Sequence, residues 1–170
     1  MQTSSVKLYS LGYGEVRTYM VAALFVLGNI ALPQLCHLVP QGGLTWLPIY
    51  FFTLVGAYKY GWRVGLLTAV LSPLVNCAAF GMPAVASLPA ILLKSAVLAG
   101  AAGYAAYRFK RVSLAVMVGV VLFYQAVGTI GEWIMVGDLF DALQDFRIGI
   151  PGMLLQIFGG WAIIRFVLKR

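Results

Sequence analysis

The chain reads as an all-α integral membrane protein: one domain, residues 1–170, forming a compact bundle of six transmembrane helices with both termini cytoplasmic. Three observations predict this. The residues are 62% hydrophobic and only 10% charged, with mean hydropathy +0.92, more apolar surface than a soluble domain of this size can hide. Apolar runs near the roughly 20 residues needed to cross a bilayer follow one another with short breaks. The cations fall in every second break, which is the pattern of a topology signal.

The spans are placed at about 18–38, 47–60, 63–80, 88–107, 112–136 and 148–168. The first carries Pro33 and leads into further spans rather than a soluble region, so it is expected to be a transmembrane helix and not a cleavable signal peptide. The second is short and marginal alone, so it is expected to be tilted little, buried by its neighbours, or flanked by Trp46 and Tyr60 as interfacial anchors. Pro73 lies inside the third, and Pro33 and Pro73 both predict bends. Pro48, Pro89 and Pro151 open the second, fourth and sixth, where a missing backbone donor is harmless.

Lys7 and Arg17 precede the first span, and Lys59 and Arg63 separate the second from the third. Arg108, Lys110 and Arg111 follow the fourth, and Arg165, Lys169 and Arg170 close the chain. These are ten of the twelve cations behind a net charge of +7. The alternate connections hold Asp138, Asp141, Asp145 and Arg147. By the positive-inside rule both termini face the cytoplasm. Separated clusters, rather than one basic stripe, argue against nucleic acid as a partner; the lipid bilayer is the expected environment.

Lys94 is the residue most informative about function, because an ammonium within an apolar helix must be paired, solvated or in use. Reckoned at about 1.5 Å per residue, it lies roughly 9 Å below the outer end of its helix. Asn76 and Gln156 fall near the same depth, Glu132 lies close to the outer end of the fifth span, and Gln125 shares a face with Gly128 and Glu132. This convergence predicts a pocket open to the outside. Trp133, Tyr50 and Trp46 are candidate stacking groups for a ring-shaped ligand, with the aromatic belt as their ordinary role. The structural alternatives are snorkelling for Lys94, interhelical hydrogen bonding for the amides and a purely structural Lys94–Glu132 pair. The 39–46 connection, with Pro40, Gly42 and Gly43, suits either a movable lid or a plain connector.

No metal or cofactor is predicted. His37 is the one histidine, Cys36 and Cys77 lack metal-ligand spacing, and no phosphate-binding glycine loop is present. The two cysteines read as free thiols, with a disulfide as the minor alternative. Lys94 and Glu132 could make an acid–base pair, but no nucleophile or metal centre accompanies them, so no enzyme is expected.

Leu47-Pro48 opening the second helix, Tyr60-Gly-Trp-Arg-Val-Gly-Leu-Leu-Thr-Ala-Val70 leading into the third, and Leu88-Pro-Ala before a small-residue-rich fourth helix ending in Tyr107-Arg108 form a recognisable arrangement. It resembles the substrate-binding S components of energy-coupling factor (ECF) transporters, over nearly the whole chain and by loose motifs. The resemblance implies capture of a vitamin or related micronutrient from the extracytoplasmic side of a bacterial or archaeal cytoplasmic membrane. It also implies partners: a transmembrane coupling subunit and two ATPase subunits. The implied pocket maps onto Lys94, Glu132, Trp133, Gln156 and the 39–46 loop. The family's Ala-x-x-x-Ala docking pattern is not matched, since Ala22 and Ala23 are followed four positions later by Val26 and Leu27. A six-span structural scaffold subunit without small-molecule transport is the alternative reading.

Overall fold

A computed structural model describes residues 6–168, and among these there are helices and turns but no strand. The closing cations Lys169 and Arg170 lie outside the described residues. Helix α1 runs Val16–Cys36, α2 Gly42–Trp46, α3 Phe51–Tyr60, α4 Trp62–Phe80, α5 Leu88–Phe109 and α6 Leu114–Val136. Short 3₁₀ turns, Pro48–Tyr50 and Val85–Ser87, lead into α3 and α5. After α6 come α7 (Leu139–Ala142), α8 (Gln144–Ile148) and α9 (Ile150–Leu154). A π-helical turn, Leu155–Gly159, joins α9 to α10 (Gly160–Ala162), and a second π turn, Ile163–Val167, follows.

Among the described residues five helices are long and apolar enough to cross a membrane: Val16–Cys36, Trp62–Phe80, Val85–Phe109, Leu114–Val136 and Ile150–Val167. The expected 47–60 span is not among them. Its α-helical part has ten residues, about 15 Å of rise against a hydrocarbon core of about 30 Å. Instead α3 is the centre of the bundle, packed against α1, α4 and α5, with Leu54, Val55, Ala57 and Tyr58 wholly buried. A helix surrounded by other helices can be apolar on every side, which is what its sequence shows.

A short helix in an apolar bundle has a problem at each end, since its first N–H and last C=O groups lack intrahelical partners and lipid offers none. Other segments meet that need. At the start, Phe52 N donates to Asn29 Oδ1 at 3.2 Å. The amide nitrogen of the same Asn29 donates to Thr53 Oγ1 at 3.1 Å and Ser72 Oγ at 3.2 Å, joining α1, α3 and α4. At the far end, the carbonyls of Lys59 and Tyr60 accept from Tyr9 N at 2.8 Å and Leu11 N at 3.0 Å. The segment before α1 is thus a strap laid along the end of α3. Tyr9 stacks on Tyr60 with ring centroids 5.7 Å apart, and the cationic groups of Lys7, Arg17 and Lys59 lie 4.9–5.2 Å from the Tyr9 ring.

Close packing of α3 on α4 rests on Gly65, where an added Cβ would stand 2.3 Å from Ala57 Cβ. Small residues allow such backbone approach, the main source of helix association in lipid. Cys36 and Cys77 are free thiols. Gly65→Ala is expected to lower stability by about 1–3 kcal/mol through overpacking. Gly119→Ala, at a position with no atom within 4 Å of the new Cβ, is expected to be neutral or stabilising by up to about 1 kcal/mol. Thermal unfolding in detergent micelles checks both, and equal effects would contradict the packing assigned to Gly65.

Candidate functional site

Lys94 stands in the second turn of α5, whose first turn carries Pro89. Its stem crosses α6 at Gly128, where a Cβ would lie 2.4 Å from Lys94 Cγ. The absence of a side chain at 128 is what lets the lysine lie flat between the two helices. Its ammonium then meets two carboxylates, Glu132 Oε2 at 2.5 Å and Asp145 Oδ2 at 2.7 Å. Lys94 is 3% exposed, and the carboxylate side chains are 22% and 11% exposed, so the triad is sealed at the lysine and reachable at Glu132.

Asp145 arrives from α8, in the connection between α6 and the last helix. Three acids of that connection have separate fates. Asp138 caps α7, accepting from Phe140 N at 2.7 Å and Asp141 N at 3.3 Å. Asp141 is exposed, while Asp145 is buried against Lys94. The connection's cation, Arg147, is exposed, with its guanidinium 3.6 Å from the Phe140 ring centroid.

Below the triad the polar lining continues along one face of α6, since Gln125, Gly128, Thr129 and Glu132 recur at helical spacing. That face is turned toward the triad, because Lys94 lies on it at Gly128. Tyr124 donates from its hydroxyl to Gln156 Oε1 at 2.8 Å, fixing the π turn of the last helix against α6. The Tyr50 ring is tilted against Tyr124 with centroids 5.5 Å apart, and both hydroxyls lie within electrostatic range of Asp145.

Five buried polar atoms here have no protein partner: both amide atoms of Gln125, Nε2 of Gln156, Oγ1 of Thr129 and Oγ of Ser95. Buried polar groups are almost always hydrogen-bonded, and leaving one unpaired costs about 1–3 kcal/mol. Five of the six such atoms among the described residues lie on α5, α6 and the π turn of the last helix, and the sixth, Asn76 Oδ1, lies on α4.

Of the residues singled out in the sequence, Lys94, Glu132, Gln125, Gln156 and Tyr50 come together here. Asn76 does not. It lies on α4, where its amide nitrogen donates at 2.9 Å to the carbonyls of Asn29 and Ser72, so it belongs to the network at the start of α3. Trp46 and Trp133 are 40% and 45% exposed; the backbone of Trp46 closes on Gly152 of α9, which leaves no space for a Cβ there. Sequence reasoning missed Asp145, Thr129, Ser95 and Tyr124. Thr129 was within reach, one residue past Gly128 on the face already identified.

A groove of about 770 Å³ lies at the other end of α5, bounded by Tyr9, Trp62, Arg63, Gly103, Tyr107 and Lys110. It includes none of the triad. Among the described residues no three His, Cys, Asp or Glu side chains gather as a metal ion would require. No family model matches the chain, and no curated protein or solved structure matches it.

Lys94→Met would leave two carboxylates facing each other without a cation, at a cost of about 3–5 kcal/mol. Adding Glu132→Gln and Asp145→Asn to that variant is expected to restore most of the loss, as read by thermal unfolding. A loss under about 1 kcal/mol for Lys94→Met would show that the triad contributes little to stability.

Proposed function

We propose that this chain is the substrate-binding membrane subunit of an importer of the energy-coupling factor type, taking a vitamin-like micronutrient into the pocket bounded by Lys94, Glu132, Asp145, Gln125, Gln156 and Tyr50. The observation that carries this reading is the set of five unpartnered buried polar atoms beside a buried ion triad. A scaffold subunit accounts for the triad as structural glue, but leaves the Gln125 amide, buried and without a partner at either end, with nothing to do. The loose sequence resemblance to S components supports the same reading.

In this reading the chain crosses the membrane six times, with α3 and the Pro48–Tyr50 turn as a short second crossing shielded by its neighbours. Both termini are cytoplasmic, because the cations at 7 and 17, 59 and 63, and 108 to 111 then share that side. The pocket opens outward beside Glu132, and the membrane is the cytoplasmic membrane of a bacterium or archaeon. ATP hydrolysis belongs to two partner ATPases, joined through a transmembrane coupling subunit.

Gln125→Leu separates the binding role from a structural one. A panel of vitamins and their precursors is screened by thermal shift on the purified full-length protein, and the compound that stabilises it is tested again on the variant. Gln125→Leu is expected to leave the ligand-free melting temperature unchanged or raised, since it removes unsatisfied buried groups, and to weaken binding at least about ten-fold. A panel without any stabilising compound, or a variant that melts lower yet binds equally well, would remove the basis of the proposal.

A further inference from the structure

The triad is unbalanced: one ammonium faces two carboxylates, a net charge of minus one when all three are ionised. Arg147, the nearby cation in sequence, lies on the Phe140 ring and is exposed. Each carboxylate holds Lys94 through one oxygen, Oε2 of Glu132 and Oδ2 of Asp145. Among the described residues Glu132 Oε1 and Asp145 Oδ1 have no hydrogen-bond partner. Glu132 is the more exposed of the pair, so its second oxygen is the one an entering molecule meets.

Resting on the binding role proposed above, we infer that the ligand is a basic nitrogen compound that presents a protonated nitrogen to Glu132 and Asp145, rather than a carboxylate or phosphate to Lys94. An anionic group reaching Lys94 would put a third negative charge around one ammonium that is itself only 3% exposed and so weakly screened. A cationic group brings the site to neutrality and satisfies the two spare acceptor oxygens. The partial positive charge at the start of α5, about half an elementary charge and shielded by its first turn, does not reverse this balance.

The uncharged lining describes the rest of the molecule. Gln125 offers one donor and one acceptor side by side, which matches an amide-like edge or an amino group next to a ring nitrogen. Gln156 Nε2 offers a further donor. Unpartnered side chains that are almost wholly buried, on the α6 face that ends at Glu132, are what make this acidic pair a site rather than a surface cluster.

Benzamidinium, benzamide and benzoate have one shape and three charges, so they isolate the electrostatic claim. Their binding to the full-length protein in detergent micelles at pH 7 is measured by ligand-observed NMR, alongside Glu132→Gln and Gln125→Leu. The expected order is benzamidinium, then benzamide, then benzoate, with about ten-fold or more between the first and last. Glu132→Gln is expected to weaken benzamidinium and strengthen benzoate, a change of sign that loss of folding cannot mimic. If Glu132→Gln does not fold, Asp145→Asn carries the same expectation. Benzoate binding as tightly as benzamidinium, and lost in Gln125→Leu, overturns the charge assignment while leaving the binding role intact. Absence of binding by all three at millimolar concentration overturns the inference, and together with an empty vitamin screen it overturns the binding role too.

Discussion

The constraint on which this structure depends is that hydrocarbon cannot hydrogen-bond, so each polar group drawn into the bundle must be met from within the chain. It acts first on α3, which is too short to place both its ends in water. Asn29 supplies the acceptor at one end, and the strap through Tyr9 and Leu11 supplies donors at the other. The remaining helices pack around this buried core element. Asn29, Thr53, Ser72 and Asn76 therefore form a structural knot, at the level where α1, α3 and α4 meet.

The same constraint gives the Lys94 region its meaning. Where the chain needs a buried polar group for its own architecture, it provides partners, as at Asn29. Around Lys94 it provides them for the ammonium and stops: Gln125, Thr129, Ser95 and the Gln156 amide nitrogen are buried without any. The Asn29 network leaves one such atom, Asn76 Oδ1, whereas five lie around Lys94, and this difference in number is what favours completion of the second by another molecule. The π turn at Leu155–Gly159, which carries Gln156, is consistent with this, since such turns recur at functional positions.

Much of the helical layout was legible in the sequence. The five long spans predicted at 18–38, 63–80, 88–107, 112–136 and 148–168 begin and end within two residues of Val16–Cys36, Trp62–Phe80, Leu88–Phe109, Leu114–Val136 and Ile150–Val167. Hydropathy sets where such runs begin and end, so this is expected. Residues 47–60 were apolar enough to suggest a crossing, because a helix buried in protein and one facing lipid have the same composition. Depth was legible too: counting residues placed Lys94 near Glu132, and the structure pairs them. Azimuth was not. Asn76 has the right depth but turns to Asn29 and Ser72 instead of Lys94, and nothing in one helix's periodicity says which neighbour its polar face meets. Asp145 was invisible for another reason, as α8 has five residues, too few for a periodic signal, and its acid was indistinguishable from Asp138 and Asp141.

Helix α3 also has a mechanical consequence. Ordinary helices absorb displacement by fraying, because their terminal hydrogen bonds exchange freely with water. Here one end is fixed to Asn29 and the other to the strap, and Tyr50, immediately before the helix, packs on Tyr124 of α6. The shaft between these two anchored ends is about 15 Å long, and its far end lies at the Tyr9–Tyr60 stack, beside the groove at the opposite end of the bundle.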